Sequence, residues 1–359
     1  MSERTAPRAL VLLLVTASAV VVLAGIKAIS TIVGPIVLAL VLVVAVSPIR
    51  EWLVRRQAPA WTAVAVPFSV VMVALLGMMA ILSTAVAQLA VLLPSYSAQF
   101  NKLVADTQRW AAQHGIAPQV NEALRSVDAG KVVELAQGLA ASVLGVVSSL
   151  FLIVVLLLAM SLDAPVVSRI MAAAAPERPA ITTALATFAS RTRRYLLVST
   201  IFGLICAALD VLALYLLSVP LPLLWGVLAL ITNYIPNIGF VVGLVPPALL
   251  ALLTGGLPRM ILVIVAYLAI NIVVQSFIQP KFLGDAVGLS TTVTFLSLIL
   301  WATVLGPLGA LLAIPLTLLA RALLIDSDPG VRWSAAFVSG ELPPDRADAT
   351  GSSPSRGSV

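Results

Sequence analysis

The chain has 359 residues, 61% of them hydrophobic and only 10% charged, with a mean hydropathy of +1.11, a balance that excludes both a soluble globular domain and a disordered polymer. The net charge of +6 and pI near 9.9 would suit nucleic acid if the basic residues shared a soluble face, but they lie between long apolar runs, so topology accounts for them and no nucleic-acid partner is expected. Those runs are long and do not alternate, which excludes an outer-membrane barrel and predicts an all-α polytopic membrane protein with about eight hydrophobic segments.

A short basic start, Met1 to Arg8, precedes the apolar run Ala9 to Ile26. That run is longer than most signal-peptide cores and no small-x-small cleavage site follows it, so it reads as a retained first span. Gly34 and Pro35 open a second run to Val46, short enough to form a tight hairpin with the first, and Arg50, Arg55 and Arg56 follow it. Trp61 to Leu93 is the third span and completes an N-terminal transmembrane part over residues 1–93. Residues 94–138 form the most polar internal region, where Phe100, Leu103, Thr107, Trp110 and Ala111 recur at helical spacing beside Asn101, Lys102, Asp106 and Arg109. This is an amphipathic helix, suited either to the membrane surface or to packing on a neighbour or a second subunit.

The expected transport core runs over 139–325. Leu139 to Leu162 is the fourth span, and the cytoplasmic loop 163–194 brings five arginines and is divided by Pro176 and Pro179 into two short helices. Tyr195 to Leu217 is the fifth span. Leu223 to Thr254, Met260 to Ile278 and Thr291 to Leu324 are the sixth, seventh and eighth. Residues 326–359 carry no apolar run and read as a disordered cytoplasmic tail. With the N-terminus inside, the arginine-rich loops all fall on the cytoplasmic side and the charge-balanced region 94–138 falls outside, so both termini are expected to be cytoplasmic.

The sixth and eighth segments are too long and too broken for ordinary spans. The 32 residues from Leu223 to Thr254 would reach about 48 Å if straight, against a hydrocarbon core of about 30 Å. Asn233, Tyr234, Pro236, Asn237 and Gly239 fall together in its first half, and Gly306 and Pro307 interrupt the eighth segment. Irregular backbone at membrane depth is tolerated only where protein or water covers it, and paired interrupted segments are the best sequence pointer to a transporter's binding site. Both segments are therefore expected to be interrupted or re-entrant.

The same stretches carry a family resemblance. NYIPNIGFVVGLVPPALLAL, QPKFLGDAVGLS and GPLGALLAIPLTLL, together with PIVLALVLVVAVSPIREWLVRRQAPAWTA upstream, resemble the autoinducer-2 exporter family of bacterial membrane proteins, also described as predicted permeases, over most of Pro35 to Leu324. The resemblance implies a polytopic inner-membrane transporter, with activities that range from export of a quorum-sensing signal to sodium/proton antiport.

Several residues are candidates for chemistry. Asp210 is the sole carboxylate well inside a clearly apolar span, and an ionised aspartate at the bilayer centre costs about 2.5 to 3.5 kcal/mol on insertion scales. It is the ion-coupling candidate unless it lies near water at the outer end beside Tyr215 and Ser218; the family pattern does not insist on an acid there. Asn271, Gln275 and Gln279 share one helical face at spacings of four, with Ser276 beside them. They either line a solute path with Asn233, Tyr234 and Asn237 or make interhelical hydrogen bonds. The family carries a glutamate a few residues before the Gln-Pro of this region, where Val274 and Gln275 stand here, so proton coupling by that acid does not carry over. Lys281 and Asp285 are spaced for a local ion pair in the loop after the seventh segment, with a gate as the other use.

One cysteine, Cys206, and one histidine, His114, build neither a disulfide framework nor a Cys/His metal site, and no cofactor is implied. HExxH, GxSxG, GxGD and P-loop motifs are all absent from the sequence, so an enzyme or an ATP-driven pump is not expected. The reading that remains is a secondary transporter or permease exporting a small organic solute or signalling molecule. Its partners are then the bilayer, the solute or ion, and further copies of itself. A sodium/proton antiporter is the first alternative, and a non-transporting oligomeric scaffold built on region 94–138 is the second.

Overall fold

The computed structural model describes residues 8–92, 96–115, 129–236, 238–278, 288–328, 330 and 334–339. Every regular element among them is helical. Among the described residues, five helices or stretches of helix are long and apolar enough to cross a membrane: Ser30–Arg55, Thr62–Leu89, Leu150–Ala174, Pro179–Leu216 and Gly239–Gln275. Three shorter apolar helices, Leu13–Ala28, Pro222–Thr232 and Thr291–Leu305, accompany them.

In chain order the helices are α1 (Arg8–Ala28), α2 (Ser30–Arg55), α3 (Thr62–Leu92), α4 (Ser97–Gln113), α5 (Ala129–Ala174), α6 (Pro179–Leu216), α7 (Pro222–Thr232) and α8 (Gly239–Asn271). A π-helical segment, Ile272–Ile278, continues α8, and α9 (Thr291–Leu305), α10 (Pro307–Leu311), α11 (Ala313–Arg321) and α12 (Ala335–Ser339) follow. The chain divides into two compact units. One comprises 1–44, 163–195 and 284–359, and the other comprises 45–162 and 196–283.

Three expectations change. The chain passes from α1 to α2 through Ile29 alone, whose N–H bonds to Gly25 O at 3.3 Å, so Gly34 and Pro35 lie inside α2 and do not open a hairpin arm. The arginine-rich stretch 163–194 does not form two separate short helices. It is the continuation of α5 and the first half of α6, which stop at Ala174 and restart at Pro179. The tail is not wholly without structure: α12 docks through a hydrogen bond from Ser290 N to Val338 O at 2.9 Å.

In the first unit, α9 ends at Gly306, whose φ of +67° suits glycine. Pro307 then starts α10, where its missing N–H has no helical bond to lose. The Trp301 indole donates to Thr317 Oγ1 at 3.0 Å, tying α9 to α11. Arg321 donates through Nη1 to Gly288 O at 2.5 Å and faces Asp326 at 3.4 Å.

In the second unit, α7 has 11 residues, about 16 Å of helix, roughly half a hydrocarbon core. The chain leaves it through 233–238 and turns into α8, which is itself broken at Gly256 (φ 72°, ψ −172°). In an unbroken helix Gly243 and Tyr267 would stand about 36 Å apart, yet they line one cavity, so the chain folds back at Gly256 into two arms. The sixth expected segment is α7 with the first arm, and the seventh is the second arm with the π-helical segment after it. Leu89 of α3, Leu214 of α6, Leu224 and Trp225 of α7, and Leu244, Leu250, Ala251, Val263 and Tyr267 of α8 form one buried core. Outward residues such as Phe151, Leu212 and Val265 are exposed and apolar, as a lipid-facing surface requires.

Candidate functional site

The site lies inside the second unit, where the end of α7, both arms of α8 and the middle of α6 meet. The 233–238 turn is held in place by polar side chains because a backbone without regular bonding needs them at membrane depth. Asn233 Nδ2 donates to Ser199 O at 3.0 Å, and the Tyr234 and Thr200 hydroxyls are 2.6 Å apart, so two successive turn residues grip two successive residues of α6. The turn is closed by glycine: a Cβ at Gly239 would collide with the Thr232 carbonyl, and one at Gly243 would stand 3.0 Å from Thr232 Oγ1.

From the returning arm of α8 come three polar residues one turn apart, Tyr267, Asn271 and Gln275. Asn271 Nδ2 donates to Tyr267 O at 2.9 Å. Gln275, in the π-helical segment, donates through Nε2 to Asn271 Oδ1 at 2.6 Å and to Asn233 Oδ1 at 3.0 Å. A π segment re-aims side chains relative to an α-helix, and here it carries the residue that links the arm to the turn. Val274 in the same segment packs on Val198, Phe202 and Cys206 of α6.

Opposite stands Asp210 of α6, 1% exposed, and its Oδ1 has no hydrogen-bond partner among the described residues; neither does Tyr267 Oη, also at 1% exposure. Both side chains line a cavity with Cys206, Thr232, Asn233, Gly243, Asn271 and Gln275. The space within it that a water centre can reach is about 10 Å³, close to the minimum for one water molecule. None of the described residues around it is a lysine or arginine. Among the described residues there is no group of three or more His, Cys, Asp or Glu side chains that would hold a metal.

Of the residues singled out in the sequence, Asp210, Asn233, Asn271 and Gln275 come together around the cavity, and Tyr234 fixes the turn beside it. Pro236 is half-buried in the turn, where its carbonyl accepts from Ile238 N at 2.7 Å; it does not line the cavity. Gly239 closes the turn, while Gly306 and Pro307 belong to the other unit. Asn237, Gln279, Lys281 and Asp285 lie outside the described residues. Tyr267, Thr232 and Cys206 were not singled out for the site. The signal for Tyr267 was present, since it continues the Asn271, Gln275 spacing one turn back; Cys206 stands likewise one turn before Asp210.

Residues 16–327 match the family model described as AI-2E family transporter. Among curated relatives, the AI-2 transport protein TqsA of Escherichia coli (strain K12) is 31% identical over 306 residues, covering 84% of this chain and 88% of the relative. The "Putative transport protein YhhT" of the same strain is 30% identical over 306 residues, covering 85% and 88%. A Haemophilus influenzae protein whose name likewise gives only transport is 28% identical over 334 residues, covering 91% and 95%. A family of transport proteins, not of enzymes, thus matches from end to end of the helical region that builds the site. The chain is a multi-pass membrane protein of the AI-2E transporter family.

Proposed function

We propose that the chain is a secondary transporter of the bacterial cytoplasmic membrane that exports a small organic solute, driven by a gradient, with its path passing the Asn233, Asn271 and Gln275 network. The observation that carries this reading is that network itself. It is a chain of side-chain amides, half-buried to buried, placed where three helix ends meet inside apolar segments. Purely structural polar pairs between membrane helices need no such broken backbone, whereas transporters place their binding groups at broken helices. Tyr234 and Pro236 shape the turn, and Gly239 closes it. Asn237, Gln279, Gly306 and Pro307 stay path candidates on the sequence alone, with Lys281 and Asp285 as gate or loop candidates. We take α7 with the first arm of α8 to be re-entrant, because α7 is about half a membrane long.

Positive charge on the loops supports two cytoplasmic termini. The amphipathic α4, whose Trp110 is exposed and stacked on His114 at 4.4 Å, supports assembly into a homo-oligomer. Autoinducer-2 is the first solute to test, since the name of one relative gives it. Replacing Asn233 by alanine in purified, reconstituted protein should cut efflux by tenfold or more while insertion and oligomer size are kept; unchanged efflux in that folded variant removes the path assignment. Sodium/proton exchange is the second reading, favoured by the buried carboxylate of Asp210. A pH-sensitive dye inside liposomes would report it as sodium-dependent collapse of a preset proton gradient.

A further inference from the structure

We propose that the turn between α2 and α3 binds the headgroup of an anionic phospholipid, with the phosphodiester held by the guanidinium groups of Arg55 and Arg56 beside the exposed indoles of Trp52 and Trp61. The surface lies apart from the polar network, and the inference stands whatever the chain transports.

Depth is the first argument. Ser30–Arg55 and Thr62–Leu89 are both long and apolar enough to cross a membrane, and only residues 56–61 join α2 to α3. Two spans therefore end together here, which puts the turn at the edge of the hydrocarbon, where phosphate groups lie. The reversal is fixed by the backbone. Gln57 takes a φ of +55°, its N–H bonds to Val54 O at 3.0 Å, and Ala58 N bonds to Leu53 O at 3.1 Å, the paired bonds that close a helix with a left-handed residue. Beyond it Thr62 Oγ1 donates to Pro59 O at 2.7 Å. Trp52 and Trp61 stay 51% and 70% exposed, as tryptophans at headgroup level do.

Charge and geometry are the second. Ser47 to Trp61 holds three arginines, no lysine and one acid, Glu51. Arg55 and Arg56 are exposed, and neither forms an ion pair among the described residues. Arg191, Arg193 and Arg194, the other close group of arginines, each already have a partner. Trp52 precedes Arg55 and Arg56 by three and four residues, so the three share one side of α2. Arg56 Cζ lies 4.3 Å from the centre of the Trp52 ring. Stacking uses the face of a guanidinium and leaves its N–H edge for an oxyanion. A topological signal asks for positive charge alone, which lysine supplies as well; a stacked guanidinium with a second beside it suits two-pronged contact with phosphate.

The apolar surround selects a lipid over a free anion. Val54, 59% exposed, lies between Trp52 and Arg55 in the chain, and it and the two indoles present apolar surface that the glycerol and acyl parts of a lipid cover. Inorganic phosphate would leave that surface bare.

The experiment uses the purified full-length protein in a zwitterionic detergent. Its thermal unfolding midpoint is followed against added phosphatidylglycerol, phosphatidylcholine or inorganic phosphate at constant ionic strength, and retained lipid is counted by native mass spectrometry. The wild type should show a saturable rise with phosphatidylglycerol, half-saturating at least tenfold below phosphatidylcholine, and no rise with inorganic phosphate. Arg55→Gln with Arg56→Gln should raise the half-saturating phosphatidylglycerol by about tenfold or more. Arg55→Lys with Arg56→Lys, which keeps the charge and loses the fork, should raise it several-fold. Arg169→Gln with Arg178→Gln removes the same charge elsewhere and should leave it unchanged. Equal responses to the two lipids, or a response to inorganic phosphate that matches the lipid, would overturn the proposal. So would an undiminished response in the Arg55, Arg56 glutamine pair, or an equal loss in the Arg169, Arg178 pair, which would make the effect one of net charge. If the Arg55, Arg56 glutamine pair does not fold, the lysine pair decides, and an unchanged response there overturns the site.

Discussion

Gln275 and Asn233 stand 42 residues apart in sequence, and the Gln275 amide closes that distance by donating to Asn233 Oδ1 at 3.0 Å while also donating to Asn271 Oδ1 at 2.6 Å. One side chain thereby joins the returning arm of α8 to the turn that precedes α8. Asn233 passes the link on to α6 through Ser199 O. Substituting Asn233 by alanine takes the partner from one N–H of the Gln275 amide, at a cost of about 1–3 kcal/mol where that group is left buried and unpaired. The double variant Asn233→Ala with Gln275→Ala should cost less than the sum of the singles, because they remove the same bond. Additive losses in a denaturation series would show that the bond is not made.

Gly239→Ala should destabilise the fold by about 1–3 kcal/mol, the usual cost of forcing atoms into a filled space. Its Cβ would meet the carbonyl of Thr232, which is backbone and cannot swing aside. Gly25→Ala is the matched control, since nothing lies within 4 Å of its added methyl and alanine is the better helix former by up to about 1 kcal/mol. Unfolding midpoints should move in opposite directions for the two; a neutral Gly239→Ala would mean that the turn is looser than described.

Tyr234→Phe deletes one hydroxyl of the 2.6 Å pair with Thr200. A loss of about 0.5–1.5 kcal/mol is expected, the net worth of such a bond, and Thr200→Val should lose a similar amount. An unchanged stability in Tyr234→Phe would mean that the two hydroxyls are not bonded.

At Gly306 the penalty of substitution is backbone alone. Its φ is +67° and no atom lies within 4 Å of an added Cβ. With ψ −147° this is a region that essentially only glycine enters, so Gly306→Ala should cost about 1–3 kcal/mol and Gly306→Asn a similar amount. A neutral Gly306→Ala would mean that the chain does not take this conformation between α9 and α10.

Much of this was legible in the sequence, for identifiable reasons. Apolar runs with few charges gave the helices and their approximate number, because length and hydropathy are local properties. Asn233 with Pro236, and Asn271 with Gln275, stood out because polar residues are rare in such runs, and the structure joins them. Helix continuity was not legible. The proline signals at 176 and 179 were read as dividing a loop, whereas long helices approach them from both sides. At Gly256 the reverse held: the sequence reads two segments on either side of it, and the chain folds back at that glycine. Tyr267 and Thr232 escaped notice because a tyrosine or threonine in an apolar helix is ordinary; only tertiary placement brings Tyr267 to the cavity of Asp210.

Efflux from proteoliposomes, without ATP and with an imposed ion gradient, tests the central claim most directly, using wild type and Gln275→Leu in parallel and checking both for folding and for oligomer size. The account predicts gradient-dependent efflux of the small solute by the wild type and at least a tenfold loss in Gln275→Leu, which keeps the side-chain bulk but severs the bridge between Asn233 and Asn271. Equal efflux from the two proteins would contradict a path through this network.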